Sequence, residues 1–196
     1  MIEYLTTSSW AKTSELIRRG LPSSPKPFIM CTSCPGDPLH SGHINCIREG
    51  WAWGQSYCLS VDTQNFYPLN IVIVNADSFL LRKKGYYLLP ELERATVIGN
   101  LKWVDLALIW ESPTGSQKVH ETLEIIKPDV FYKGGDVKDH NFQGEERDVC
   151  DKLGIKLMFG MGGDKSASSS DYFAEAITRL GDRALDPSSL KGRPRT

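Results

Sequence analysis

Five short apolar runs, separated by stretches of helical spacing, constrain this chain more than any other feature. They are PFIMCT at 27–32, NIVIVN at 70–75, DLALIW at 105–110, VFYK at 130–133 and IKLMF at 155–159. Each carries apolar residues on both alternating faces, the mark of a strand covered on two sides. Between them, SGHINCIREGWAWG (41–54) reads as a helix opened by Ser41. The segment 89–103 places Leu92, Ala95, Val97, Ile98 and Leu101 on a helical face begun by Pro90, and 116–126 reads as a helix closed before Pro128. EERDVCDKLG (145–154) is a helix ended by Gly154, and a last helix is predicted over 169–180.

Strands that alternate with helices predict an α/β fold: a Rossmann-like, doubly wound, five-stranded parallel sheet in a single domain, with right-handed crossovers. In such sheets ligands bind beyond the carboxyl ends of the strands, near the switch in strand order. The loops at those ends are CPGDPLHSGH, ADSFLLRKKG, GGDVKDHN and GMGGDKSASSS, all rich in Gly, Asp, Ser, His or Lys. Before the first strand, residues 1–25 are predicted to form an N-terminal helical extension (Trp10, Leu16 and Ile17 on one stripe, Gly20 as a stop) and a Pro-rich linker. The domain itself is expected over 26–181, and a flexible C-terminal tail over 182–196. SYCLSVDTQNFYPL (56–69) is longer than a usual connection and is read as an insertion.

Composition narrows the function classes. A length of 196 residues supports one domain with a sizeable core. A formal charge of −1 provides no basic field for nucleic acid or for an anionic membrane, and no apolar run approaches the ~20 residues of a membrane span. The N-terminal MIEYLTTSSWAKTSEL lacks an apolar signal core, so cytoplasmic residence is expected. Five cysteines, an odd number, suit reduced thiols better than a disulfide framework.

CPGDPLHSGH (34–43) holds two of the chain's four histidines, three positions apart. Three readings compete. Cys31, Cys34, His40 and His43 have the chemistry of zinc ligands, but the gap between the pairs is short for a zinc finger and Cys31 falls inside a strand, so no structural metal is expected. A turn that happens to contain histidines is the plain reading. A phosphate site explains more residues at once. His40 and His43 lie one helical turn apart, Gly42 leaves room for a ligand, and the helix N-terminus offers N–H donors and a positive dipole end.

His40-Ser41-Gly42-His43, with Asp37 three residues before it, resembles the HxGH signature of the cytidylyltransferase-like nucleotidyltransferases. VNADSFLLRKKG, ERATVIGNLKWVDLAL, KPDVFYKGGD and SASSSDYF resemble, in the same order, further segments of bacterial ADP-heptose synthase adenylyltransferase domains. The likeness spans roughly residues 28–178. The chain departs from the family at Cys34-Pro35-Gly36-Asp37, where Gly-x-Phe-Asp is usual, and in having serines where relatives carry threonine.

The resemblance implies transfer of a nucleotidyl group, AMP from ATP, to a sugar 1-phosphate with release of pyrophosphate. A CTP-dependent cytidylyltransferase acting on a polyol phosphate such as glycerol 3-phosphate, and a non-catalytic nucleotide-binding member of the fold, are the alternatives. The partners are then a nucleoside triphosphate and a phosphorylated sugar or polyol, with a homodimer compatible; Mg²⁺ would be carried mainly by the nucleotide. His40, His43 and Lys133 are the implied catalytic residues, and Asp37, Gly42, Gly134, Asp136, Ser168, Ser169 and Ser170 the nucleotide and phosphate contacts. Asp77, Arg82 and Lys84 are implied for the acceptor. Each has a plainer alternative: Lys133, Asp77, Arg82 and Lys84 as surface-loop charges, the serines as helix caps, Asp136 as the close of a Gly-Gly turn.

Overall fold

The computed structural model describes residues 2–4, 26–61, 66–135, 137–164 and 168–181. Its strands are β1 (Ile2–Tyr4), β2 (Lys26–Cys34), β3 (Phe66–Asn75), β4 (Leu106–Trp110), β5 (Val130–Gly134) and β6 (Lys156–Met161). The helices are α1 (Ser41–Val61), α2 (Asp77–Lys84), α3 (Glu91–Gly99), α4 (His120–Ile126), α5 (Glu145–Leu153) and α6 (Ser169–Gly181), with a single 3₁₀ turn at Asp139–Asn141.

The sheet is parallel in the order β1-β4-β3-β2-β5-β6. The five predicted strands are all present, and Ile2–Tyr4 adds a sixth at the edge, paired with β4. The helix predicted around Trp10–Ile17 and the tail over 182–196 lie outside the described residues. The chain runs from β2 outward to β3 and β4, then returns to place β5 on the other side of β2. The order therefore reverses between β2 and β5, the position at which a doubly wound sheet opens a crevice.

Alternation within the strands builds two cores. Ile29, Cys31, Ile71, Ile73, Leu106 and Leu108 point to one face, where Leu123 and Ile126 of α4 and Val149 and Cys150 of α5 cover them. Cys34, Val72, Val74, Ala107 and Ile109 point to the other, against Ile47 of α1 and Ala95 and Ile98 of α3. A third group, Met30, Cys46, Val130, Tyr132 and Met161, continues that second layer under α1. Gly54 on α1 exists for this contact, because a Cβ there would lie 2.0 Å from the Met30 sulfur.

Three expectations are corrected. The segment 56–69 is not an inserted loop: α1 continues to Val61 and β3 already begins at Phe66. Pro68 hid that start. It is tolerated because β3 pairs with β4 only from Ile71 onward, so at Pro68 one strand flank is open. ADSFLLRKKG is not a loop but α2, with Gly85 closing it in the left-handed conformation at φ 81°. The helices read over 89–103 and 116–126 are shorter, starting at Glu91 and His120. Among the described residues, no helix is long and apolar enough to cross a membrane.

Candidate active site

A cleft of about 730 Å³ opens over the carboxyl ends of β2 and β5, at the reversal of strand order. Its floor is Thr32, Ser33 and Cys34 from β2 and Lys133 and Gly134 from β5, and its walls include His40, His43 and the first residues of α6. The topology alone thus brings together loops separated by a hundred residues and more.

His40 immediately precedes α1, and its carbonyl accepts the Ile44 N–H at 3.1 Å, as a helix start requires. His43 is one turn on. The two rings stack with centroids 3.8 Å apart, and His40 Nδ1 accepts the Gly42 N–H at 3.1 Å. With Nδ1 as acceptor, a neutral His40 ring carries its proton on Nε2. A Cβ at Gly42 would lie 3.0 Å from the His40 ring, so a larger residue would have to displace that ring by a few tenths of an ångström. The sequence expectation of two rings on one side of a helix start is what the geometry presents.

Lys133 stands at the end of β5. Its Nζ donates to Ser33 Oγ at 3.2 Å, lies 3.4 Å from Glu146 Oε2, and sits over the Phe131 and Phe142 rings at 4.4 and 5.3 Å. Burial pushes its pKa below the ordinary lysine value, and the carboxylate of Glu146 pulls the other way. Beyond it the backbone is crowded: a Cβ on Gly135 would fall 1.6 Å from the Gly163 carbonyl oxygen, so only glycine lets β5 pass the loop after β6.

At the third side, Ser168 caps α6: its Oγ accepts the Asp171 N–H at 3.2 Å while Asp171 Oδ2 accepts the Ser168 N–H at 3.1 Å. Ser169 Oγ donates to the Pro38 carbonyl at 3.0 Å, fastening the start of α6 to the histidine loop. The capping role holds for Ser168, and all three serines line the cleft.

Two acidic candidates turn elsewhere. Asp37 is 1% exposed, does not line the cleft, and accepts the N–H groups of Leu88 and Leu89 at 2.9–3.0 Å. Asp77 is ion-paired with Arg94 at 2.6 Å, and its N–H is taken by Glu91 at 2.7 Å. Arg82 likewise does not line the cleft, whereas Lys83 and Lys84 do. Asp136 lies outside the described residues. Cys31 and Cys34 belong to cores on opposite faces of the sheet, so they cannot grip one ion together with the histidines. Burial pushes the Cys34 thiol up to about 12, which removes it as a nucleophile at neutral pH.

Several residues of the site were not singled out in the sequence. Arg94, 1% exposed, donates to the carbonyls of Leu89, Pro35 and Asn75 as well as to Asp77, bracing the histidine loop against the ends of β3 and α2. Lys118 and Gln117 reach the cleft on a loop stapled by Glu121, whose carboxylate accepts from Ser112 at 2.6 Å and Thr114 at 2.7 Å. Gln117 Nε2 donates to the Arg82 carbonyl at 3.3 Å, joining that loop to the end of α2. No local motif marks these residues. The contacts that tie them to the site, Arg94 to Pro35 and Gln117 to Arg82, span 59 and 35 positions of the chain.

No family model matches the chain. Over 134 residues, 67% of its length, it is 30% identical to the bifunctional protein HldE of a Nitratiruptor species, of which the match covers 25%. Against the bifunctional protein HldE of Aliarcobacter butzleri the identity is 28% over 130 residues, 65% of this chain and 23% of that one. The chain thus spans about a quarter of the length of these curated relatives. Among solved structures, the lipopolysaccharide core biosynthesis protein from Thermoplasma volcanium superposes with a TM-score of 0.52 at 24% identity, covering 70% of this chain and 98% of that one. The HldE proteins are homologues of this chain, and the structural likeness shows the shared fold. The resemblance to the cytidylyltransferase-like nucleotidyltransferases rests on the HldE homologues.

Proposed function

We propose that this chain is a nucleotidyltransferase that moves a nucleotidyl group, AMP from ATP in the first instance, onto the phosphate of a sugar 1-phosphate and releases pyrophosphate. The observation that carries the reading is the stacked His40–His43 pair at the start of α1, sharing one cleft with Lys133 and the capped start of α6. The relation to the HldE proteins supports it.

The chemistry asks little of the protein beyond placement and charge. A phosphate oxygen of the acceptor is already anionic, so its attack on the α-phosphorus needs no strong base. As the bond to the β-phosphate breaks, charge gathers on the leaving pyrophosphate. His40 and His43 can donate hydrogen bonds to it, Lys133 supplies a fixed positive charge, and the N-terminus of α6 contributes N–H donors. Lys83 and Lys84, at the end of α2, line the cleft where an acceptor phosphate could be met; Lys118 joins them from the neighbouring loop. Mg²⁺ enters this reading as a partner of the triphosphate, neutralising its charge. The reading also expects cytoplasmic residence.

The altered Cys34-Pro35-Gly36 stretch keeps a non-catalytic reading in view. Its turn is nonetheless well braced, with Arg94 on the Pro35 carbonyl at 2.7 Å and Ser169 on the Pro38 carbonyl. One experiment separates the readings: pyrophosphate release with ATP and with CTP, each against glucose 1-phosphate, heptose 1-phosphates and glycerol 3-phosphate. The expected result is turnover with ATP and a sugar 1-phosphate. A tenfold preference for CTP, about 1.4 kcal/mol in transition-state binding, would reject the adenylyl assignment; tight nucleotide binding without any turnover would reject catalysis.

A further inference from the structure

Glu146 is an unexpected occupant of a cleft proposed to hold polyphosphate. It is 5% exposed, lies in the first turn of α5, and contributes to the cleft lining. A buried carboxylate repels a polyanion and is itself costly to dehydrate. Its surroundings compensate that cost. Oε1 accepts the Val119 N–H at 3.1 Å, the start of α5 presents its positive dipole end, and Oε2 faces the Lys133 ammonium at 3.4 Å.

Seen from Lys133, the carboxylate has a purpose. This lysine is enclosed by the rings of Phe131 and Phe142 and by Ser33. Lys118, on the loop before α4, opposes its charge, as does burial itself; Glu146 counters both. The thiols facing it, Cys31 of β2 and Cys150 of α5, have their pKa pushed up by burial and are uncharged at neutral pH. An ammonium has three N–H donors, of which Ser33 and Glu146 engage two, so one remains to meet a phosphate oxygen.

We propose that Glu146 is a positioning residue that holds the Lys133 side chain, in its charged ammonium form, at the end of β5 where the cleft receives phosphate. The nucleotide half of the statement rests on the nucleotidyltransferase reading; the partnership of the two side chains does not. Glu146 moves no proton to substrate and forms no bond with it. Bound phosphate shares the ammonium with the carboxylate, so the lysine is in place before the nucleotide arrives.

The test compares wild type, Glu146→Gln and Lys133→Met. Glutamine keeps an acceptor for the Val119 N–H, so the fold should survive, as thermal unfolding will verify. The ammonium of Lys133 is titrated in the free protein by NMR of ¹³Cε-labelled lysine, its signal assigned by its absence in Lys133→Met. The expected result is titration at least one pH unit lower in Glu146→Gln, a tenfold loss of proton affinity. In calorimetric titrations with ATP, the alkaline limb of affinity moves down by the same interval, and Lys133→Met lacks that limb. Titration of Lys133 at the same pH with and without Glu146 overturns the proposal. So does an affinity lowered equally at every pH, the mark of a merely structural role. If wild type binds no ATP, the nucleotide reading fails and the NMR titration still decides the Glu146–Lys133 partnership.

Discussion

Replacing Arg94 should cost more than any substitution in the motifs around it. The guanidinium is fully enclosed and uses four of its five N–H donors: on Leu89 O at 2.9 Å, Pro35 O at 2.7 Å, Asn75 O at 2.6 Å and Asp77 Oδ1 at 2.6 Å. In Arg94→Met three carbonyls and one carboxylate lose their partner. A buried polar group left unsatisfied costs about 1–3 kcal/mol. Asp77 is 23% exposed and can turn toward water, so its share is discounted. The loop carbonyls can recover part of theirs by admitting water, and the sum is about 3–5 kcal/mol, in the range for breaking a buried pair by removing one partner. Against a total stability of about 5–15 kcal/mol for a typical domain this is a large fraction. Urea unfolding should show the midpoint falling at unchanged slope. Arg94→Lys keeps a charge but not the fork, and at most two of the four acceptors can be reached from one ammonium; about 2 kcal/mol is expected. Because the Pro35 carbonyl belongs to the histidine loop, both variants should also weaken nucleotide affinity. A loss under about 1 kcal/mol for Arg94→Met would refute the view that this side chain braces three segments.

His43→Ala should lower pyrophosphate release by roughly 10²–10³ while the circular dichroism spectrum and unfolding midpoint stay unchanged, and near-normal turnover would remove His43 from the reaction. Gly135→Ala should cost more than about 3 kcal/mol, because the clash is with the Gly163 backbone, whereas Gly54→Ala should cost about 1–3 kcal/mol because the flexible Met30 side chain can yield; the reverse order in thermal unfolding would contradict this packing. Asp129 is exposed as a residue, but its carboxyl accepts the Ile29 N–H at 2.7 Å, and the partial burial of that group raises its pKa above the ordinary carboxylate value. The folded state therefore binds this proton more tightly than the unfolded state, so the linked stabilisation is complete below about pH 4 and is lost as pH rises through the folded value. Asp129→Asn, which keeps an acceptor, should gain stability relative to wild type between about pH 4 and pH 7, and a pH-independent difference would show that burial is not what shifts this carboxyl.

What the sequence determined by itself is what a few consecutive residues can encode. Ile71–Val74 alternate apolar side chains onto two faces that are both buried, and Gly154 ends α5 in the left-handed conformation that glycine adopts without strain. The HxGH spacing put two rings on one side of a helix start because helical periodicity is local. Short or masked signals failed for equally local reasons. In α2 only Phe79 and Leu80 are buried, too few to show a helical stripe, and Pro68 disguised the first residues of β3. The direction of a charged side chain is different in kind. The side chains of Asp37 and Asp77 find partners 17 to 52 positions away, Arg94 reaches as far as Pro35, 59 positions away, and Lys133 is held by Ser33 from 100 positions away. The energy of such groups is set by burial and by whichever donors the fold delivers, and neither exists until the sheet has assembled. The sequence could therefore place both acidic residues beside a motif. Only the tertiary structure could give them Leu88, Leu89 and Arg94 as partners, and set Glu146 beside the cleft lysine.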